Sequence, residues 1–255
     1  MTEVKAKKFL GQHFLTDESI AERIVESLSK DTHHLLEIGP GMGVLTKYLI
    51  NKTDIDFHVV EIDRESVAYL HNHYPTLDVI EGDFLKYDLT TLFHDTFSII
   101  GNFPYNISSQ ILFKVFDNRD SVTEVVGMFQ KEVAERIAAG PGSKTYGILS
   151  VLLSAFYDIE YLFTVHEHVF NPPPKVKSAV IRLRRNDVKS LECEEKLFVQ
   201  VVKAGFNQRR KTLRNALKQL GMPLEAVNED ILAKRAEQLS VTQFIEITKN
   251  IESCL

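Results

Sequence analysis

Apolar and polar positions follow two periods in turn along the first half of this chain. Leu35-Leu36-Glu37-Ile38, Phe57-His58-Val59-Val60, Leu77-Asp78-Val79-Ile80, Ser98-Ile99-Ile100 and Val125-Val126-Gly127-Met128 are short apolar runs that predict buried strands. Between them, stripes such as Ile20, Ile24, Val25 and Leu28, or Val44, Leu45, Tyr48 and Leu49, predict helices. Asp63 stands where it can cap the helix after the second of these strands. This is the rhythm of βαβ units, and it predicts an α/β fold with a mostly parallel, doubly wound sheet. Later, Asp158–Val165 and Ser178–Leu183 alternate like half-exposed strands, joined across the triple proline Pro172–Pro174. They predict an antiparallel pair that closes the sheet. Beyond Arg185 only helical patterns follow. The pattern therefore predicts one domain over residues 1–186 and a small helical domain over 187–255.

Four predicted strands end in Gly39, Glu61, Asp83 and Asn102, at intervals of 22, 22 and 19 residues. In a parallel sheet, ligands bind outside the carboxyl ends of the strands, so these four residues predict a shared crevice. The loop Gly39-Pro40-Gly41-Met42-Gly43 allows a close approach of backbone to ligand. Alone it is a weak signal, and the third glycine of the dinucleotide fingerprint is missing. An acid after the second strand suits the hydroxyls of a ribose. Asp83, beside Phe84, suits the amino group of an adenine. No Walker lysine is present, and two carboxylates would repel phosphates, so a nucleoside without phosphates is expected. Taken singly, Glu61 or Asp83 reads as well as an exposed loop acid or a helix cap. Their common register favours a site.

Asn102-Phe103-Pro104-Tyr105 follows the strand Phe97-Ser98-Ile99-Ile100-Gly101 and precedes a helical stripe. The Asn102 side-chain oxygen and the Pro104 carbonyl can accept both hydrogens of one amino group, and the Tyr105 ring can stack on the heterocycle that carries it. Such a site suits chemistry on the exocyclic amine of a base flipped out of its stack. Phe170, at the start of the triple-proline motif, is expected to cover the other face of that base. A core phenylalanine under a loop is the alternative.

Composition narrows the setting. The chain has 255 residues, 44% hydrophobic and 25% charged, as expected of a globular protein. Cys193 and Cys254 suggest neither a disulfide framework nor a metal cluster, and no metal is expected. The apolar stretch Gly147–Tyr157 is too short to span a bilayer, and Met1–Lys8 lacks the core of a signal peptide. A cytoplasmic location is expected. The net charge of −5 argues mildly against a nucleic-acid partner, but its distribution argues for one. Residues 170–220 carry thirteen Lys or Arg against four Asp or Glu. Lys5, Lys7 and Lys8 precede Phe9, and Lys175 and Lys177 flank the proline motif. Arg209, Arg210, Lys211 and Arg214 are expected to cluster on one helix whose apolar face holds Phe206, Leu213 and Leu217. These groups would grip phosphates without reading sequence.

Gly11-Gln12-His13-Phe14-Leu15, Glu37–Gly43, Gly82-Asp83-Phe84, Gly101–Ser108, Phe170–Val176 and Phe206–Asn215 together carry a resemblance. Nearly end to end, the chain resembles the KsgA family of ribosomal RNA adenine dimethyltransferases, which are Rossmann-like methyltransferases. The resemblance implies a seven-stranded core with a helical C-terminal domain that binds RNA. It implies S-adenosylmethionine as cofactor and S-adenosylhomocysteine as product. The reaction it implies is N6,N6-dimethylation of two adjacent adenosines in the 3′-terminal hairpin loop of small-subunit (16S) rRNA. The setting would be a pre-ribosomal 30S particle, with a role in subunit biogenesis; a monomer and no membrane partner are expected. His13 and Leu15 would line the cofactor pocket by main-chain contacts. Gly39, with Gly41 in the same loop, would lie at the methionine end, Glu61 on the ribose, Asp83 and Phe84 at the adenine, and Asn102 near the methyl donor. Some members have Asn at the position of His13, and Leu is commoner than Phe at position 103. Three other readings stay open: a large-subunit (23S) rRNA methyltransferase of the macrolide-resistance type, a ribosome-assembly or transcription factor on the same fold, and a small-molecule methyltransferase.

Overall fold

The computed structural model of the protein describes residues 4–255. In chain order the first elements are β1 (Phe14–Leu15), α1 (Glu18–Glu26), β2 (His34–Ile38), α2 (Thr46–Leu49), β3 (Asp56–Glu61) and α3 (Arg64–His73). They continue with β4 (Asp78–Glu81), β5 (Phe97–Asn102), α4 (Ser108–Asp117), β6 (Val122–Gln130), α5 (Lys131–Ile137) and α6 (Ile148–Ser154). Then come β7 (Tyr157–Val165), β8 (Phe170–Asn171) and β9 (Ser178–Arg185), and the helices α7 (Glu195–Asn207), α8 (Leu213–Lys218), α9 (Glu229–Leu232) and α10 (Val241–Glu252).

Seven strands form one sheet in the order β4-β3-β2-β5-β6-β9-β7. Neighbours from β4 to β6 pair in parallel, and β9 runs antiparallel to β6. This is the predicted fold class. Central strands of such a sheet are covered on both faces, which is why β5 reads as an apolar run and buries Phe97 to Ile100. The chain leaves β2 toward β3 on one side, and β5 lies on the other. The strand order therefore switches between β2 and β5, where open α/β sheets bind ligands. The start of α3 is fixed as expected, with Asp63 accepting the Glu65 N–H, and α1 is capped in the same way by Asp17, which accepts the N–H groups of Ser19 and Ile20. One acid lies deep under this site: Glu37 on β2 accepts the Thr46 hydroxyl at 2.7 Å, and burial pushes its carboxyl up to about 8.

A separate two-stranded pair joins β1 to β8 in antiparallel fashion, with Leu15 opposite Phe170. It brings the N-terminal arm to a segment more than 150 residues later.

The chain divides into two compact units. One comprises residues 1–134 and 159–185 and holds the sheet; the other comprises Glu135–Asp158 and Asn186–Leu255. The continuous first domain read from the sequence, 1–186, is thus corrected. The segment 135–158 belongs with the helices. Helix α6 explains this, because its Leu149, Ser150, Val151, Leu152 and Leu153 are all buried. A helix that is apolar nearly all round needs cover on every side. Within its unit α6 packs on α7 and α10, and Phe198, Phe206, Leu217 and Phe244 fill the interior.

Candidate active site

The four residues predicted to share a crevice do share one. Gly39, Glu61, Asp83 and Asn102 all line a cleft at the carboxyl ends of the parallel strands. Glu61 ends β3 only 4% exposed, yet both of its oxygens are engaged. The Gly41 N–H donates to Oε2 at 3.1 Å and the Asp63 N–H to Oε1 at 2.8 Å. Burial pushes its carboxyl above the usual range, while these backbone donors pull the other way. Gly41 is at φ +57°, and a Cβ there would stand 2.8 Å from the Phe14 ring. Only glycine lets the loop turn and the arm come that close.

Asp83 is held by the loop that follows it. Its Oδ1 accepts the Leu85 N–H at 3.0 Å, and Oδ2 is 3.9 Å from the exposed Lys86 ammonium. Lys114 on α4 donates to the carbonyls of Leu85 and Tyr87, which fixes this loop from below. Phe84 is buried and lines the cleft beside Asp83. The sequence reading missed Ile62, an exposed apolar side chain on the cleft wall, and Lys114. An apolar residue directly after the acid at the end of β3 was the available signal for Ile62. Nothing in the pattern marks Lys114.

At the end of β5, the Asn102 Nδ2 donates to the His13 carbonyl at 2.9 Å. That bond settles which way the amide faces. Its Oδ1 has no hydrogen-bond partner among the described residues. The Pro104 carbonyl accepts the Ile107 N–H at 3.2 Å, which leaves it a second lone pair. The Tyr105 hydroxyl is hydrogen-bonded to the buried Ser178 hydroxyl at 2.5 Å. Burial raises the pKa of its phenol above the usual value, against the pull of Ser178. One face of its ring stacks on His13, with centroids 5.2 Å apart and planes 28° apart. His13 is fixed in turn by donating Nδ1–H to the Pro172 carbonyl at 2.7 Å. Phe103, the departure noted in the motif, is 1% exposed and packs edge-on to Phe129. It fits because two neighbours are glycines. A Cβ at Gly101 or Gly127 would lie 2.6 or 2.2 Å from its ring.

Alternation along β1 turns the Leu15 side chain into the core and leaves Phe14 on the wall. Leu15 borders a neighbouring recess together with Glu37, Gly39 and Asn102. One expectation about the cleft is corrected: Phe170 is not an open face for a base. It is 4% exposed and packs in the core with Leu15, Val169 and Met128, as its pairing with β1 requires.

The basic residues separate into two groups. Lys5, Lys8, Lys175, Arg210 and Lys211 are exposed, and their side chains have no partner among the described residues. Lys7, Arg209 and Arg214 are already committed. Lys7 pairs with the buried Asp63 and with Glu65. Arg209 donates to the carbonyls of Lys144 and Tyr146 at 2.8 and 3.0 Å, and Arg214 pairs with Glu229. Each of these three already has a partner within the protein, whereas the first five do not among the described residues. Nor do residues 209–214 share one helix: α7 ends at Asn207 and α8 begins at Leu213. Among the described residues, no cluster of His, Cys, Asp or Glu is arranged to hold a metal. No helix among them is long and apolar enough to cross a membrane.

The chain is similar to known proteins along nearly its whole length. The ribosomal RNA adenine dimethylase family matches residues 3–253. The ribosomal RNA small subunit methyltransferase A of Cytophaga hutchinsonii is 62% identical over 252 residues, covering 97% of this chain and 98% of that protein. Its counterpart in Bacteroides thetaiotaomicron is 59% identical, covering 100% of this chain and 97% of that protein. Among solved structures, a dimethyladenosine transferase from Plasmodium falciparum superimposes with a TM-score of 0.79 at 26% identity, covering 94% of this chain and 98% of that one. A 23S rRNA methyltransferase shares the fold with a TM-score of 0.69 at 24% identity, covering 92% of this chain and 99% of that one. The strand-end register, the Asn102–Tyr105 motif and this full-length similarity agree: the chain belongs to the ribosomal RNA adenine dimethylase family.

Proposed function

We propose that this protein transfers methyl groups from S-adenosylmethionine to the exocyclic N6 of two adjacent adenosines in the 3′-terminal hairpin loop of small-subunit rRNA. The products are N6,N6-dimethyladenosine and S-adenosylhomocysteine. High identity to small-subunit enzymes along the whole chain supports this substrate over large-subunit rRNA. The proposed setting is a pre-ribosomal 30S particle in the cytoplasm, with the protein acting as a monomer.

The residues present fit the cofactor. Glu61 offers a carboxyl preset by two backbone donors, which suits a ribose diol. Asp83 keeps Oδ2 for an adenine amino group, beside Phe84 and Ile62. His13 contributes to the wall, and its carbonyl keeps a second lone pair after accepting from Asn102. When bound, S-adenosylmethionine supplies an electrophilic methyl group on its sulfonium.

The single observation that carries the mechanism is the Asn102–His13 hydrogen bond. Because Nδ2 is engaged, Oδ1 is left to accept a hydrogen from the target amine. The free lone pair of the Pro104 carbonyl can accept the second. Together they aim the nitrogen lone pair, which in adenine is delocalised into the ring, and stabilise its developing positive charge. Tyr105 stacks on the base with the face that His13 leaves open. No strong base is needed, since the ammonium proton leaves after transfer. Unmethylated small and large subunits, each incubated with the enzyme and labelled S-adenosylmethionine, test the reading. Label in the small-subunit rRNA is expected; label confined to the large subunit overturns it.

A further inference from the structure

Phe9 is the largest exposed apolar side chain in the N-terminal arm, with 77% of its surface open. Single exposed apolar residues are common and by themselves mean little. Phe9 differs in how firmly its backbone is held. It sits in a single helical turn, Lys8–Leu10, closed by Gly11 at φ +66°. On one side, Lys7 pairs with the buried Asp63 and its N–H donates to Gln12 Oε1 at 2.8 Å. Gln12 Nε2 in turn reaches Asp63 Oδ2 at 3.3 Å. On the other side, Asn106 Nδ2 donates to the carbonyl of Phe9 itself at 3.3 Å. A Cβ on Gly11 would stand 2.6 Å from Asn106 Oδ1, so arm and catalytic loop touch there. The turn cannot fold its ring back into the core without breaking these ties. Asn106 directly follows Tyr105, and the next arm residues, Leu10 and Gly11, line the cleft. The ring is therefore held at the mouth of the active site.

Its surroundings favour an RNA partner. Lys5 and Lys8, both exposed and without partners among the described residues, flank it. A second rim has the same make-up: Val176, 46% exposed, between the exposed Lys175 and Lys177. This loop begins at Pro172, whose carbonyl holds His13. An apolar face between cations is what an unpaired base on a phosphate backbone requires.

We propose that Phe9 is a stacking platform for an unpaired nucleobase next to the adenosine being methylated, with Lys5 and Lys8 on the flanking phosphates. Phe9 would fix the register in which the rRNA loop enters the cleft; it touches the substrate but not the reacting atoms. The inference rests on the RNA reading of the site given above.

The test compares the full-length protein with its Phe9→Ala, Phe9→Trp and Phe9→Leu variants on unmethylated small subunits. In Phe9→Ala the KM for subunits is expected to rise between about 5-fold and about 100-fold, the range of one lost base stack. Its KM for S-adenosylmethionine and its melting temperature are expected to stay unchanged. Trp is expected to restore the value and Leu to fail. An unchanged subunit KM in Phe9→Ala overturns the proposal, as does full rescue by Leu. So does an altered sedimentation coefficient of the free protein with subunit KM unchanged, which would make Phe9 a contact between copies. The same variants are titrated with a single-stranded adenine-rich RNA. If the wild type leaves small subunits unmethylated, the proposed function fails, and the titration alone then decides for or against Phe9.

Discussion

The side-chain amide of Asn102 and the main-chain carbonyl of His13 are joined at 2.9 Å, so the arm of the chain orients the residue that we propose meets the target amine. An Asn102→Asp variant keeps the size and the acceptor but loses the donor. It also sets a carboxylate against the His13 carbonyl. Both Asn102→Asp and Asn102→Ala are expected to lose about 10²–10³-fold in kcat. Binding to the small subunit should stay near the wild-type level. Turnover at the wild-type rate in Asn102→Ala would refute the mechanism.

Phe103 and Gly127 form a lock of complementary size. Gly127→Ala puts a methyl group into the Phe103 ring and is expected to cost about 1–3 kcal/mol. In a Phe103→Leu background the same change should cost measurably less. Denaturant unfolding of the four proteins of this cycle checks the coupling.

Glu37 makes stability depend on pH. Burial raises its carboxyl from an ordinary 4.5 to about 8 in the folded protein. Between these values the folded state holds a proton that the unfolded state has released. Stability is therefore fully present below the lower value and falls as pH rises toward the upper one. The raised Glu61 acts in the same direction. Glu37→Gln should flatten the decline but not abolish it. Melting temperatures of both proteins from pH 5 to pH 8 give the comparison; parallel curves would contradict it.

Arg210 and Lys211 should behave differently from their neighbour Arg209. Replacing both free residues with Ala is expected to weaken RNA binding and lower its log–log salt slope by about one per cation removed. Arg209→Ala breaks two hydrogen bonds to backbone carbonyls. It should lower the melting temperature and leave the salt slope in place.

Phe170 offers a decision between core and wall. Phe170→Ala is expected to destabilise the protein by about 3–5 kcal/mol, as a buried aromatic ring does when truncated. A variant of undiminished stability with a large loss in kcat would instead put the ring against the target base.

The sheet and the line of strand-end residues were legible because both depend on short-range rules. Buried parallel strands are apolar throughout, and the residue that ends each strand faces the same edge of the sheet. The Asn102–Tyr105 motif was legible for the same reason. Commitments among charges were not. Lys5, Lys7 and Lys8 look alike in sequence, but only Lys7 comes within reach of Asp63, a residue more than fifty positions away. Arg209 and Arg210 are adjacent, and the turn after α7 sends one toward Tyr146 and leaves the other in solvent. Phe170 followed an apolar rule and a functional rule at once, and only its pairing with Leu15 separates them. The segment 135–158 left a trace in α6, which is apolar apart from its two serines. Nothing nearby in the sequence shows which helices would cover it.

The pairing of β1 with β8 has a consequence for the order of synthesis. Leu15 meets Phe170, Thr16 donates to the Val169 carbonyl at 2.8 Å, and His13 donates to that of Pro172. During translation the arm is made first, but these three partners leave the ribosome only after most of the sheet. Until then His13 lacks its acceptor, and the hydrogen bond that orients Asn102 rests on an unanchored arm. The cofactor cleft is thus completed late, when the nascent chain already carries every strand but the last of the sheet.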